Sequence, residues 1–303
     1  MKVAVIDLGT NTFHLLIAEI GTSAPFILYK TTVPVRLGEQ ITINNSIIPA
    51  AFERGLICLK QFKSTISTYG AESIKAIATS GIRSAVNGLD FVNQVKNETS
   101  IIIEIIDGNE EAGYIYEGVK WSGAIIAPGL IMDIGGGSTE FMLCTPDQLL
   151  WKKSYDIGAA RLLQHFFKSD PLTAIQKQAI RQHLDEQLKD LIDIGKANQP
   201  QLLIGSAGAF ETFYEMTAGG LVSETAPINY TAYKKLSYTL TNSTHQEREN
   251  MPGLISLRVD MIVMAAILTD YVLEKLDIHA LRFSAYDLKM GALKRLHEDL
   301  STG

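Results

Sequence analysis

Apolar positions fall along this chain in two alternating periods, and the same series of them occurs twice. Residues 3–6 and 13–20 are near-continuous apolar runs that read as the two strands of a hairpin, with residues 25–32 as a third strand. From residue 50 to 69 the period turns helical, with Phe52, Leu56, Leu59, Phe62 and Ile66 on one face. Residues 74–78 make a short buried strand, and Asp90 stands as a cap for a helix carrying Phe91, Val92 and Val95. Residues 101–106 are apolar but for Glu104 and read as a central strand, and a helix opens at Glu110. The order then begins again at Leu130: hairpin strands to about residue 155, helices across 162–194, a strand at 202–204 and more helices. A strand at 280–283 and a last helix from near Leu288 close the chain, whereas residues 227–252, with the polar run 241–250, read as the least structured stretch. The doubled series predicts two α/β domains, 1–121 and 122–303, meeting near Trp121-Ser122-Gly123 without a low-complexity linker. The last helix, about 289–303, is able to pack back on the first domain.

Composition changes this picture little. A chain of 303 residues with 46% apolar and 20% charged residues can bury a substantial core in each half. The net charge of −6 argues against a nucleic-acid partner, but not against a polyanionic ligand met by a local cluster of arginine and metal. Cys58 and Cys144 have neither disulfide-framework nor zinc-ligand spacing, and Cys144 reads as a small buried hydrophobe. Asp7 stands where a signal peptide would need its apolar core, and apolar stretches such as 261–268 are too short to span a bilayer, so a cytoplasmic protein without a membrane partner is expected. The six histidines show no metal-ligand spacing, and none is assigned to the chemistry.

The chemistry lies in what closes the first strand of each half. Asp7 is followed by Leu8-Gly9-Thr10-Asn11-Thr12-Phe13, and Asp133 by Ile134-Gly135-Gly136-Gly137-Ser138-Thr139-Glu140-Phe141. An aspartate at a strand end can hold a cation, and a turn of small residues lets backbone N–H groups approach an anionic oxygen. Two such units suggest a phosphorylated ligand clamped between duplicated halves, with Asp7 and Asp133 holding one Mg²⁺ directly or through water. The plainer alternative is that each aspartate only caps its own turn.

Further segments lie in order along the chain: Val35-Arg36-Leu37-Gly38, Ala78-Thr79-Ser80-Gly81-Ile82-Arg83, Asn87-Gly88, Gly108-Asn109-Glu110-Glu111-Ala112, Gly158-Ala159-Ala160-Arg161 and Gly205-Ser206-Ala207-Gly208. Together with the two aspartate turns they resemble the exopolyphosphatase and guanosine pentaphosphate phosphohydrolase (Ppx/GppA) family. The resemblance implies an α/β protein of two ribonuclease-H-like domains, in the actin/Hsp70/sugar-kinase superfold, with the active site in an interdomain cleft. It ends where this chain ends, while longer members add C-terminal helical domains. The sequence departs from the family's pattern at three places: His14 stands where many members have arginine, Ala209 where threonine is common, and Lys289 where arginine is usual. Lysine keeps that charge but loses the bidentate fork.

The resemblance makes Glu111 the general base on the attacking water. With Asn109 as N-cap, the helix start favours its carboxylate form, and a loose phosphoryl-transfer transition state needs the water positioned more than deprotonated. Without the family, Glu110 and Glu111 would read as ordinary first-turn acids. Glu140 has little structural reason to face a core and is expected to orient the water or hold metal through water. Gly9, Thr10, Asn11, Thr12, Gly135, Gly136, Gly137 and Ser138 are expected to bind phosphate oxygens. Arg83 is the expected phosphate clamp and Asn87 a weaker one, although an arginine there could equally be a solvated loop charge. Gly208, with Gly205, matches the superfold's second glycine turn, placed to meet the distal part of a substrate or simply to turn the chain.

The expected protein is therefore an Mg²⁺-dependent (alternatively Mn²⁺-dependent) exopolyphosphatase that prefers short polyphosphate. Hydrolysis of guanosine pentaphosphate is the nearest alternative. A phosphotransferase of the superfold and a non-catalytic polyphosphate or nucleotide sensor stand behind it. Partners are limited to these ligands and, as an open assembly state, a homodimer.

Overall fold

The computed structural model describes residues 1–21, 25–206, 208–219 and 223–302, so the expected turn member Ala207 lies outside the described residues. The chain divides into two compact units, Met1–Tyr114 with Leu288–Gly303, and Ile115–Asp287.

The first unit runs β1 (Lys2–Leu8), β2 (Phe13–Glu19), β3 (Phe26–Val33), α1 (Ile41–Asn44), α2 (Pro49–Tyr69), β4 (Ser73–Ala78), α3 (Ser80–Arg83), α4 (Gly88–Thr99), β5 (Ile103–Ile105) and α5 (Gly108–Trp121), whose second half enters the other unit. Its sheet has the order β3-β2-β1-β4-β5, antiparallel from β3 to β1 and parallel from β1 to β5. The continuous apolar run in β1 is explained by burial on both faces, which leaves Val3, Ala4, Val5 and Ile6 fully enclosed. Pro49 starts α2 at a position that needs no N–H, and Gly70, at φ 68°, ends it. Between them Leu56, Leu59, Phe62 and Ile66 supply the buried face.

Two sequence expectations are corrected here. The apolar run 101–106 gives only the three-residue edge strand β5, because Ile101, Ile103 and Ile106 turn inward while Ile102 is 70% exposed. Asp90 does not cap α4; Asn87 holds that position and Asp90 lies in the first turn.

The second unit runs β6 (Gly129–Ile134), β7 (Thr139–Cys144), β8 (Leu149–Tyr155), α6 (Ala159–Phe166), α7 (Ala174–Gln187), α8 (Lys189–Asn198), β9 (Leu202–Ser206), α9 (Gly208–Ala218), β10 (Thr225–Ile228), α10 (Tyr230–Asn242), α11 (His245–Glu249), α12 (Met261–Leu276) and β11 (Leu281–Ser284). The chain then returns to the first unit as α13 (Leu288–Thr302), which packs on β1. The sheet order β10-β11-β9-β6-β7-β8 repeats that of the first unit, with one antiparallel edge strand added. Helix α12 is apolar nearly all round because it lies inside the core of this unit. Among the described residues no helix is long and apolar enough to cross a membrane.

The stretch 227–252 is not the least structured part of the chain; it holds the end of β10 and all of α10 and α11. Its polarity belongs to solvent faces, while Tyr233 and Leu240 are fully buried. Asn229 caps α10, and Thr244 with Glu247 forms a capping box on α11, a signature present in the sequence. Arg248 secures the region. Its side chain is wholly buried, with Nε donating to Val259 O at 2.8 Å and Nη1 and Nη2 meeting Asp170 and Asp260 at 3.1 Å. The two aspartates are partly solvated, so what Arg248→Met removes is chiefly the hydrogen bonds of the buried guanidinium. The substitution is expected to destabilise the protein by about 1–3 kcal/mol, read as a lower denaturant midpoint in equilibrium unfolding.

Candidate functional site

Asp7 and Asp133 are each the penultimate residue of a strand, β1 and β6, and each strand enters a four-residue turn to its hairpin partner. The turns are built alike. Gly9 N donates to Thr12 O at 3.1 Å, and Gly135 N donates to Ser138 O at 3.0 Å. A Cβ on either glycine would lie 3.0 Å from that same carbonyl oxygen.

What fixes the turns is bonding from behind. In the first unit Gly38 N donates to Thr10 O at 2.8 Å and Arg36 N to Asn11 O at 2.7 Å. In the second, Ala159 N donates to Gly135 O, Ala160 N and Arg161 N to Gly136 O, and Gly158 N to Gly137 O, at 2.9–3.2 Å. Arg161 Nε adds a bond to Gly137 O at 3.0 Å. A trans peptide directs its C=O and N–H oppositely, so each carbonyl held from behind turns the next residue's N–H forward. Five amides face forward in this way, those of Asn11, Thr12, Gly136, Gly137 and Ser138, and none of them is given to another backbone carbonyl among the described residues. Successive forward amides suit an anionic oxygen.

Glycine permits the approach from behind. A Cβ at Gly38 would lie 2.2 Å from Thr10 Cγ2, and one at Gly158 would lie 2.5 Å from the backbone of Gly136 and Gly137. Gly81 also packs on Thr10, where a Cβ would lie 2.8 Å from its Cα. Enclosed by these glycines, the Thr10 side chain is buried, whereas Asn11 and Thr12 are half-buried.

In each sheet the aspartate belongs to a cross-strand row that follows the strand register, polar throughout in the second unit and interrupted by Ile77 in the first. In the second unit the row is Ser154–Glu140–Asp133–Ser206–Ser284–Thr225, one residue on each of the six strands. Ser206 Oγ donates to Asp133 Oδ2 at 2.8 Å, and Ser154 Oγ to Glu140 Oε1 at 2.6 Å. Glu140 is only 2% exposed, which is costly for a carboxylate and excludes a solvated face. In the first unit the row is Thr32–His14–Asp7–Ile77–Glu104.

Glu111 lies on the first turn of α5 and is 7% exposed. Its Oε2 accepts from Arg83 Nη1 at 3.1 Å, and the same nitrogen donates to Ile106 O at 2.9 Å. The structure thus joins Arg83 to the expected base. The N-cap is Asp107, not Asn109: Asp107 Oδ1 accepts from the amides of Asn109 and Glu110, and Glu110 Oε2 accepts from Asp107 N. Glu110 therefore serves the helix, and Glu111 is left for another purpose.

Other expectations change. Asn87 is no phosphate clamp, because both ends of its amide bond the backbone of Ile47, at 2.8 and 2.9 Å. Gly205 is demanded by packing, since a Cβ there would lie 1.8 Å from the Phe210 ring. Gly208, at φ 45°, opens α9, and a Cβ there would meet only Ile134 O, at 3.8 Å. Burial pushes the thiols of Cys58 and Cys144 up to about 12, as befits inert buried side chains. Ser154 carries no short-range signal in the sequence, and although Ser206 and Arg161 lie within family motifs, their bonds to Asp133 and Gly137 join segments far apart in the chain. Gly38 and Gly158 lay within quoted motifs, but the task they perform is visible only in three dimensions.

Two sheets of this order, each carrying an aspartate-ended hairpin, define a duplicated α/β protein of ribonuclease-H-like topology. A family profile matches residues 16–299, and the chain belongs to the Ppx/GppA phosphatase family. An exopolyphosphatase from Cytophaga hutchinsonii superposes with a TM-score of 0.94 at 33% identity, covering 99% of this chain and 98% of that one. The Aquifex aeolicus Ppx/GppA family member gives 0.82 at 26% identity, covering 98% of each. A Vibrio cholerae guanosine-5'-triphosphate,3'-diphosphate pyrophosphatase is 27% identical over 98% of this chain, which spans 59% of that relative's length.

Gly158→Ala is expected to push the glycine turn out of place and lower phosphatase kcat/KM at least about tenfold, the scale of one lost charge-assisted hydrogen bond. Gly21→Ala, with nothing within 4 Å of the added Cβ, serves as the control and should leave turnover unchanged.

Proposed function

We propose that this protein is an exopolyphosphatase, removing the terminal phosphate of inorganic polyphosphate to leave a chain one unit shorter. The observations that carry the reading are the forward amides of the two like-built turns, two in the first unit and three in the second, and the buried Glu111–Arg83 pair of the first unit. The similarity to the Cytophaga hutchinsonii exopolyphosphatase along nearly the whole of both chains supports polyphosphate as the substrate.

In this mechanism the amides of Asn11, Thr12, Gly136, Gly137 and Ser138 receive phosphoryl oxygens. Glu111 holds the attacking water and takes its proton as the O–P bond forms and the bridging P–O bond to the rest of the chain breaks. Arg83 keeps Glu111 in place through Nη1 and offers the remainder of its guanidinium to the charge on the reacting phosphoryl group. Glu140, beside Asp133 in register, helps to orient water. Gly208 stands at the turn for the more distal phosphates.

Asp7 and Asp133 are the residues that would hold a divalent cation, Mg²⁺ or Mn²⁺. Their chemistry fits: both are hard carboxylates, each at the end of a strand that leads into a turn with forward amides. Mg²⁺ takes one or two carboxylates and completes its shell with water and substrate oxygens. Such an ion supplies neutralisation of phosphoryl charge.

Glu111→Gln is expected to lower kcat by at least about a hundredfold, the scale of general-base catalysis, with polyphosphate binding retained in a direct binding assay. Undiminished turnover would sink the mechanism, and lost turnover together with lost binding would remove Glu111 from the chemical step. Phosphate release from short and long polyphosphate and from guanosine pentaphosphate, with and without EDTA, decides the substrate. We expect the highest kcat/KM on polyphosphate and loss of release on chelation; a higher value on guanosine pentaphosphate would transfer the assignment to that nucleotide.

A further inference from the structure

The register places His14 in the first unit where the second has Glu140. Each stands seven residues after its aspartate and opposite it across the hairpin, Asp7 with His14 and Asp133 with Glu140. Each also meets a hydroxyl on the outer strand: His14 Nδ1 lies 2.9 Å from Thr32 Oγ1, and Glu140 Oε1 lies 2.6 Å from Ser154 Oγ. His14 makes a further contact, since its Nε2 lies 2.8 Å from the hydroxyl of Thr12, the last residue of the first turn.

We propose that His14 is a positioning residue that makes the Thr12 hydroxyl a hydrogen-bond donor to a phosphoryl oxygen. This rests on the reading of residues 9–12 as a phosphate-binding turn. A hydroxyl carries one proton, and a phosphoryl oxygen only accepts. Thr12 can bond the ligand through its hydroxyl only by giving up that proton, so its bond to His14 must run the other way, with Nε2–H donating to Thr12 Oγ1. The ring then carries its proton on Nε2, and Nδ1 accepts from the hydroxyl of Thr32. That hydroxyl lies on the exposed edge strand β3, where water can bond its remaining lone pairs. The donors run in one direction: Thr32 to His14, His14 to Thr12, Thr12 to the ligand. In the opposite tautomer Nε2 would take the Thr12 proton, and Thr12 would turn only lone pairs toward an anion.

The position therefore requires a donor at the site of Nε2. A glutamine amide nitrogen reaches that place, while a phenylalanine ring fills the same space without a donor. The test is steady-state phosphate release from polyphosphate by His14→Phe, His14→Gln, Thr12→Val and the double variant His14→Phe/Thr12→Val, with thermal melting of each. H14F and T12V should each raise KM about tenfold with kcat within about twofold, as expected when one charge-assisted bond to bound substrate is lost. H14Q should stay near wild type, and the double variant should be no worse than either single one. Additive losses in the double variant, an H14Q as impaired as H14F, or a fall in kcat at unchanged KM would each overturn the proposal. An H14F without effect beside an impaired T12V overturns the role of His14 alone. A T12V without effect removes the Thr12 hydroxyl from phosphate binding and this proposal with it. Melting within a few degrees of wild type for H14Q and T12V keeps the comparison valid even if H14F folds poorly.

Discussion

The direction of five peptide planes is the constraint on which the candidate site depends. A glycine-rich turn is flexible by itself and could present carbonyl oxygens as readily as amides to a ligand. Here the choice is made from behind, by Arg36 and Gly38 in one unit and by residues 158–161 in the other. The supports are themselves held: Arg54 of α2 donates to Val35 O at 2.9 Å and to Arg36 O at 3.3 Å, and Arg161 reaches Gly137 O. Arg36 even adopts a φ of 51°, unusual for a residue with a side chain, to bring its amide to Asn11. The turns therefore arrive with their amides already aimed, so little reorganisation is needed when an anion binds.

The second feature follows from strand pairing. A hairpin with a four-residue turn sets which residues lie opposite one another, so a residue seven places beyond each aspartate must stand beside it. That is why the row across each sheet can hold polar groups: every member has a neighbour 4.5–5.5 Å or so away on the same face. Burying such groups without partners would cost about 1–3 kcal/mol each. Ser206 on Asp133 and Ser154 on Glu140 offset part of that cost and fix the carboxylates in the process.

Much of this was legible in the sequence, and the limits have physical causes. Duplication could be read because Asp7 and Asp133 close apolar strands in the same way. Glu111 was found only through family resemblance, since any acid at a helix start has a local explanation; geometry separates it from Glu110, which caps, by pairing it with Arg83. Residues 227–252 were misread because polar helix faces dilute the apolar period, although the capping box at Thr244 was available. The edge position of β5 was hidden because an apolar run does not say which of its side chains turn outward. His14 stood out only as a departure from the family pattern and Ser154 not at all, because Thr32 and Glu140 lie 18 and 14 residues away and only the register brings them together.

The repeated frame also shows where the two units diverge. Strand β5 leads through Asp107 into α5, and β11 leads through the buried Asp287 into α13. The fourth residue of α5 is Glu111, whereas the fourth residue of α13 is Gly291. Opposite the two aspartates the difference runs the other way, with His14 in the first unit and Glu140 in the second. A symmetric pair of aspartate turns could serve either a phosphotransferase or a hydrolase, because both must hold phosphate and a cation. The proposed hydrolytic chemistry needs a water-directing carboxylate on one side of the reacting phosphorus only. Duplication accounts for the paired turns, and in the proposed mechanism the departures from it at Glu111, His14 and Glu140 are what would give catalysis a direction.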